Sequence, residues 1–540
     1  MVAPDLDRFT SRRSTVYATN GVIAAEHPLA ASAGLSTLRR GGNAFDAAVA
    51  TAASLNVVEP MMTGIGGDVF MLYRTAAGEV GAMQSCGHAP ADATIERVRA
   101  DLAERTERDP ADVSMPDNGA HTVTIPGTAR GWEATIDRFG NLSLADVLGP
   151  AIDQATSGFA VTEVVANAWK GGETLFTDDH ARAEYLVGGD RAPRVGEVIR
   201  LPGIGSTLQA MADGGADVIY EGEIAEQIAG EVQSHGGFLT TDDLAGFAPV
   251  FPDPISTTYH DAAIFELPPN NQGMIALEAL NIAAEVDAGT YRDGSPDRIH
   301  YFAEAMKRAF HDGHHYITDP AFESVPDLHS KAYARDRAAA IDAQASEVTF
   351  GVPGNAAEYA DTTLLTVADG DGNVVSYINS LFSGFGSGLV AGDTGITLQN
   401  RGASFSLDPG APNSLEPGKR PFHTLIPALL RRDEDDWLAF GVMGGYMQPQ
   451  GHVQVVSHLL DDEYPLQRSL DEPRWRYQAN GQLAVETRFD GGALSKLVRR
   501  GHDVTIKPAS QFGGGQIVRN QAGVLSAATE PRKDGTAVGY

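Results

Sequence analysis

Cysteine is almost absent from this chain of 540 residues: Cys86 stands alone. One thiol can form neither an internal disulfide nor a zinc cage. Cys86 therefore reads as a small buried or half-buried side chain, with a reactive thiol as the alternative. Lysine is also scarce. It supplies 7 of the 40 basic residues, against 71 acidic ones, and the net charge is −31. So little positive charge argues against nucleic acid or an anionic membrane as a partner. An acid-rich, lysine-poor surface suits a salt-loving (halophilic) interior, where screening relieves self-repulsion. No apolar run is long enough to span a bilayer. The opening "MVAPDLDRFTSRRSTVYATNG" lacks the apolar middle of a secretory signal. The chain reads as soluble and cytoplasmic.

Hydrophobic residues make up 42% of the sequence, enough for a sizeable core. There is no tandem repeat and no low-complexity linker. "GGNAFDAAVATAASLNVVEP" (41–60) predicts a helix, with glycines before it, alanines within it and Pro60 beyond. Residues 63–85 give short apolar runs parted by glycine, as strands would. Residues 142–169 and 296–311 look helical, and the C-terminal third looks strand-like. A Gly/Pro/Ala loop at 349–361 is the best boundary. After it, "TTLLTVAD" and "NVVSYINSLF" are β-branched and apolar, and "DGDGN" joins them as a hairpin would. Strands and helices come in blocks, which favours a layered α+β fold over regular βαβ alternation.

The acidic run at 369–373 invites a calcium reading. An EF-hand needs Gly at its sixth position and Glu at its twelfth. Counted from Asp369, these are Val374 and Ser380. A tight turn, with Asp, Gly and Asn supplying positive φ, fits better. "GFGSGLVAG" (384–392) misses the dinucleotide pattern, and no helix clearly follows. "HDGHH" (311–315) reads as solvated or capping histidines at a helix end. No metal and no cofactor is implied.

Thr362 offers different chemistry. A hydroxyl is a poor nucleophile until a base takes its proton. A Thr at a chain terminus can use its own α-amine, whose reference pKa of ~7.7–8 leaves a useful neutral fraction. The chain must first be cut between Asp361 and Thr362, where a loop gives way to a strand. Attack by the Thr hydroxyl on the preceding carbonyl would do this.

The wider sequence resembles the gamma-glutamyltranspeptidase (gamma-glutamyltransferase, glutathione hydrolase) family of N-terminal nucleophile hydrolases. The matching stretches include "GGNAFDAAVATAASLNVVEP", "GIGGDVFMLYR", "IPGTARGW", "TTDDLAGF", "ELPPNNQG", "DTTLLTVADGDGNVVSYIN", "FGSGLVAGDTGITLQN" and "GVMGGYMQPQG", in that order. The resemblance implies an α+β fold of four layers, an αββα sandwich. It implies a proenzyme cleaved into intertwined chains, a large one of 1–361 and a small one of 362–540. By matching positions, Thr362 is the nucleophile and Ser380 the hydroxyl that hydrogen-bonds it. Gly444 and Gly445 supply oxyanion-hole N–H groups. The family's amino-acid clamp is largely replaced. Cys86 stands in place of a carboxylate-binding Arg, and Phe382 in place of an Asn. Beyond Asn400, Arg401 and Ser404 replace a Gln and an Asp. His423 and Thr424 replace a Ser pair.

The stretch 399–428 looks more like the branch holding cephalosporin-acylase-like and oxamate-amidohydrolase-like members. Arg401 reads either as a fork for a substrate carboxylate or as a structural ion pair. His423 either contacts substrate or packs. The expected substrate is a small-molecule amide: a γ-glutamyl compound such as glutathione, or a dicarboxylic mono-amide such as a glutaryl amide or oxamate. The altered clamp favours the second, with hydrolysis ahead of transfer. The alternative of another class is an uncleaved, non-enzymatic binding protein. The two chains of one precursor are each other's partners, and the pair has the option of a homo-oligomer.

Overall fold

The computed structural model describes residues 13–351 and 361–540, with Asp361 as backbone only. Strands Asp361–Asp369 and Val374–Phe382 form the expected antiparallel hairpin. Its turn is held by one carboxylate. Asp369 Oδ1 accepts the N–H groups of Asp371, Gly372 and Asn373 at 3.1, 3.0 and 2.9 Å. Oδ2 accepts Asn373 Nδ2 at 2.7 Å and the Ala44 N–H at 2.8 Å. Gly372 alone in this turn has positive φ, 105°. The expectation that Asp and Asn would share that role is thus corrected: Asp369 serves as an acceptor, and both its oxygens are occupied.

The hairpin lies at the centre of a six-stranded antiparallel sheet. Its order is Thr536–Gly539, Gly21–Ala25, Asp361–Asp369, Val374–Phe382, Asp68–Arg74, Val80–Ser85. A seven-stranded sheet packs face to face with it. That order is Val16–Ala18, Val524–Thr529, Gly514–Gln521, Asp436–Met443, Ala428–Asp433, Ala262–Glu266, Ile255–Tyr259. Side chains alternate across a strand, and Asp436–Met443 divides accordingly. Trp437, Ala439 and Met443 join the core shared with the six-stranded sheet, while Leu438, Phe440 and Val442 join a second core under the outer helices. Helices Pro28–Arg39 and Ala44–Val58 cover the six-stranded sheet. Helices Gly273–Glu285 and Met447–Leu460 cover the other, and Pro296–Tyr316 packs on Gly273–Glu285 from outside. The result is the αββα sandwich. Each sheet draws strands from both sides of the 361/362 bond.

Helix Ala44–Val58 is buried along its whole length and capped by a reciprocal Asn43–Asp46 box. Alanine suits it, because small side chains let a helix lie close to a sheet and a neighbouring helix at once.

Several expectations need correction. The helix expected over 142–169 breaks at Gly158, φ 92°. Helix Leu144–Ser157 ends there, strand Phe159–Ala160 pairs with Val198–Ile199, and helix Glu163–Ala168 follows. The helix from 296 runs on to Tyr316. Within it, His314 is buried rather than solvated, and its Nδ1 meets the carbonyls of Phe350 at 2.9 Å and Gly351 at 2.7 Å. Of the 349–361 loop, residues 352–360 lie outside the described residues. Helix Met447–Leu460 contradicts the strand-like reading of the C-terminal third. Pro449 lies in its first turn, where no intrahelical N–H is needed. Gly451 is a packing residue, since a Cβ there would lie 2.5 Å from Val442 Cγ1. Among the described residues, no helix is long and apolar enough to cross a membrane.

Candidate active site

Thr362 is fully buried, one residue into its strand. Its Oγ1 donates to Ser380 Oγ at 3.2 Å. Ser380 Oγ also accepts the Phe382 N–H at 2.7 Å. The register between the two strands slips between Asn379 and Phe382, and Phe382 adopts φ 82°. Bulges of this kind re-aim side chains. On its other side, Ser380 pairs in register with Asp68 of the next strand. Asp361 pairs with Phe382 through its backbone.

Arg401 begins a short 3₁₀ turn, Arg401–Ser404, and is completely buried. Its guanidinium carbon lies 4.1 Å from the centre of the Phe382 ring, within the range of cation–π attraction. Nη1 donates to Thr424 Oγ1 at 2.8 Å. Nε is 3.9 Å from Asp68 Oδ2, too far for a hydrogen bond. Among the described residues, Nε and Nη2 have no hydrogen-bond partner. Burial lowers the Arg401 pKa to about 10, against the pull of Asp68, so it stays charged at neutral pH.

Asp68 is equally buried. Its Oδ1 accepts Gln399 Nε2 at 3.0 Å, and its Oδ2 lies 3.0 Å from His423 Nε2. The Leu425 N–H donates to His423 Nδ1 at 3.2 Å. The proton of this imidazole therefore sits on Nε2 and is given to Asp68. Burial, then the charge of Arg401, keeps His423 neutral. Burial also pushes Asp68 up to about 7, while Arg401 and Gln399 oppose the rise.

Gly444 and Gly445 follow the strand that ends at Met443, with φ of 120° and 56°. Glycine reaches such angles at little steric cost. Their carbonyls accept the N–H groups of Met447 and Gln448 at 2.9 and 3.2 Å as helix Met447–Leu460 begins. Gln272 Nε2 ties the pair to the clamp, donating to Gly445 O at 2.9 Å and Thr424 O at 2.7 Å. The strand before the glycines lies over the hairpin. Ser376 Oγ donates to Phe440 O at 2.9 Å, and a Cβ on Gly441 would lie 2.9 Å from Leu364 Cδ2. Backbone N–H groups at a helix N-terminus suit a developing oxyanion.

Other candidates sit differently. The Asn400 amide is committed to its surroundings: Nδ2 donates to Asp117 O at 2.6 Å and Ser383 Oγ at 2.9 Å, and Oδ1 accepts the Ser383 N–H at 2.9 Å. Asn400 thus staples two loops. Ser404 is buried, with its carbonyl on Asn413 Nδ2 at 2.6 Å. Cys86 is buried, its Sγ 3.9 Å from Asn270 Nδ2. Burial, then Asp68, pushes its thiol up to about 12. Cys86 faces a cavity of about 480 Å³ shared with Gln84, His88, Phe322 and Arg420. Sequence reasoning missed Asp68, Gln399 and Gln272. The signal for Asp68 was present: an acid heading the apolar strand "DVFMLYR" demands partners if it is buried.

Residues 30–540 match the model of the gamma-glutamyltranspeptidase family. The chain belongs to that family. It is 35% identical to the glutathione hydrolase-like YwrD proenzyme of Bacillus subtilis, covering 97% of this chain and 99% of that one. It is also 35% identical to the oxamate amidohydrolase proenzyme of Klebsiella pneumoniae, covering 98% and 100%. The crystal structure of cephalosporin acylase from Bacillus halodurans superposes with a TM-score of 0.91 at 42% identity, covering 100% of this chain and 99% of that one. Gamma-glutamyltranspeptidase family members are N-terminal nucleophile hydrolases, and this chain is an amide hydrolase or acylase of that class.

Proposed function

We propose that this gamma-glutamyltranspeptidase family member cuts itself before Thr362 and then hydrolyses amides of short acyl groups that end in a carboxylate. The observation that carries the substrate class is Arg401: a buried cation with two nitrogens, Nε and Nη2, unpartnered among the described residues. Through Phe382 and Ser380 it is linked to the Thr362 hydroxyl. A substrate carboxylate would accept one N–H from each as a fork.

The freed amine of Thr362 takes the proton from Oγ1 as the hydroxyl attacks the amide carbonyl. The N–H groups of Gly444 and Gly445 receive the oxyanion. The amide C–N bond breaks as the ammonium returns its proton to the leaving amine. Water then opens the ester on Thr362. Residues 1–361 and 362–540 become the large and small chains, consistent with the proenzyme names of the relatives.

A γ-glutamyl substrate would bring an α-ammonium group, which needs a free acid. Asp68 has both oxygens engaged, and position 404 is Ser. We therefore favour glutaryl-type amides and oxamate over glutathione, with little transfer to amino acids. The test is a panel of γ-glutamyl anilide, glutaryl anilide and oxamate on the processed enzyme. Glutaryl anilide or oxamate is expected to give the highest kcat/KM. A clear preference for γ-glutamyl anilide would refute the assignment.

A further inference from the structure

Glu26 has no part in the chemistry above, yet it lies beside it. It directly follows strand Gly21–Ala25, which pairs with the nucleophile's strand from Gly21 opposite Asp369 to Ala25 opposite Leu365. Glu26 is fully buried. Its Oε1 accepts the Leu364 N–H at 3.3 Å, and its Oε2 has no hydrogen-bond partner among the described residues. In an antiparallel strand, alternate N–H groups point to the same edge. The Thr362 nitrogen therefore shares the edge of the Leu364 N–H, about 7 Å further along. The paired strand has ended by then, and the Glu26 carboxyl stands on that edge.

A second contact fixes the location. A Cβ on Gly514 would lie 3.4 Å from Glu26 Oε1 and 3.4 Å from Met443 Cγ. Met443 immediately precedes Gly444, so Glu26 lies between the nucleophile's strand and the end of the strand that leads into the glycine pair. The charged groups that act on it are Glu59, Lys533 and Glu530. Glu530 is already paired with Arg474 at 2.9 Å and Arg532 at 2.7 Å. Burial first, then Glu59, holds the Glu26 carboxyl well above the usual carboxylate range, and Lys533 alone opposes this by its positive charge. The ammonium exposed at Thr362 by cleavage would supply the missing positive charge and so ionise this carboxyl.

We propose that Glu26 is a positioning residue for the α-amine exposed at Thr362: Oε2 accepts a hydrogen bond from that amine, directs its lone pair at Oγ1, and opposes its charge once it has taken the hydroxyl proton. This rests on cleavage before Thr362. No proton leaves the pair in this role; it passes from Oγ1 to nitrogen and on to the leaving amine.

The test uses the processed enzyme and Glu26→Gln, which keeps an acceptor for the Leu364 N–H and removes the charge. The acid limb of kcat/KM reports the amine losing its proton. Removing an adjacent carboxylate lowers an amine's pKa, so the limb should move down by about one pH unit. The plateau kcat should fall about tenfold as the amine loses its acceptor. A cut variant with an unmoved limb overturns the role of Glu26 alone. An uncut wild-type chain overturns the cleavage reading, and the role of Glu26 with it. If Glu26→Gln does not fold, competitive acetylation of wild-type enzyme across pH measures the Thr362 amine directly. Titration above the ordinary ~7.7–8 is expected, and titration at or below that range overturns the proposal.

Discussion

Replacing Arg401 with Gln tests the acyl clamp. The side chain is buried and Nη1 already serves Thr424, so Nε and Nη2 remain to give a ligand one hydrogen bond each. A hydrogen bond to a charged group is worth about 1.5–3 kcal/mol, so the two together come to about 3–6 kcal/mol. At about 1.4 kcal/mol per factor of ten, kcat/KM for glutaryl anilide should fall about 10²- to 10⁴-fold. Butanoyl anilide, which differs only in lacking the terminal carboxylate, should change little. The assay is anilide release by processed wild type and variant on both substrates. An equal fall on both would refute the reasoning, because Arg401 would then act by holding Phe382 and Ser380 in place.

The variant also has a pH signature. Asp68 is raised in the folded protein to about 7, and Arg401 works against that rise. A carboxyl raised on folding costs nothing below its unfolded pKa, and the cost grows as pH climbs to the folded value. Without Arg401 the folded value rises further. The loss of stability with pH, read from urea midpoints, should then continue above pH 7 in the variant and level off there in wild type.

Thr362→Ala should leave a single 57.0 kDa chain without activity, seen on a denaturing gel; a processed Thr362→Ala chain would move the nucleophile elsewhere. His314 donates from Nδ1 to two carbonyls, while its buried Nε2 has no acceptor among the described residues, and burial lowers it to about 4. Stability should therefore be full above pH 6.5 and decline by about 3 kcal/mol towards pH 4; His314→Gln should flatten that decline in urea titrations, and parallel curves would exclude the histidine as its source. With a net charge of −31, the melting temperature should rise with KCl from low to molar concentration, and a flat response would argue against a salt-adapted surface.

What the sequence discloses here depends on how far apart the cooperating residues lie. The hairpin at 361–382 is local: two β-branched runs and a short polar link suffice. The helix at 44–58 is local too, because its cap, its alanines and its stop are contiguous. Helix Met447–Leu460 was hidden because its Gly451 answers to Val442, a residue of another element. Asn400 shows the same limit. Its position beside Arg401 suggests substrate contact, but its amide is taken by Asp117 and Ser383. The choice between ligand and staple lies in tertiary partners.

Arg401 and Asp68 carry this furthest, since both readings of Arg401 were open in the sequence. A buried ion pair offsets its desolvation only when geometry is good and the remaining donors are satisfied. Here the charges stand 3.9 Å apart, Asp68 has turned its oxygens to Gln399 and His423, and two guanidinium nitrogens face no acceptor among the described residues. An arginine selected for stability alone would close on its carboxylate. One selected for binding is held by neighbours that leave its fork open, as Thr424 and the Phe382 ring do. The partner that best satisfies both open donors is a second carboxylate, arriving on the acyl group.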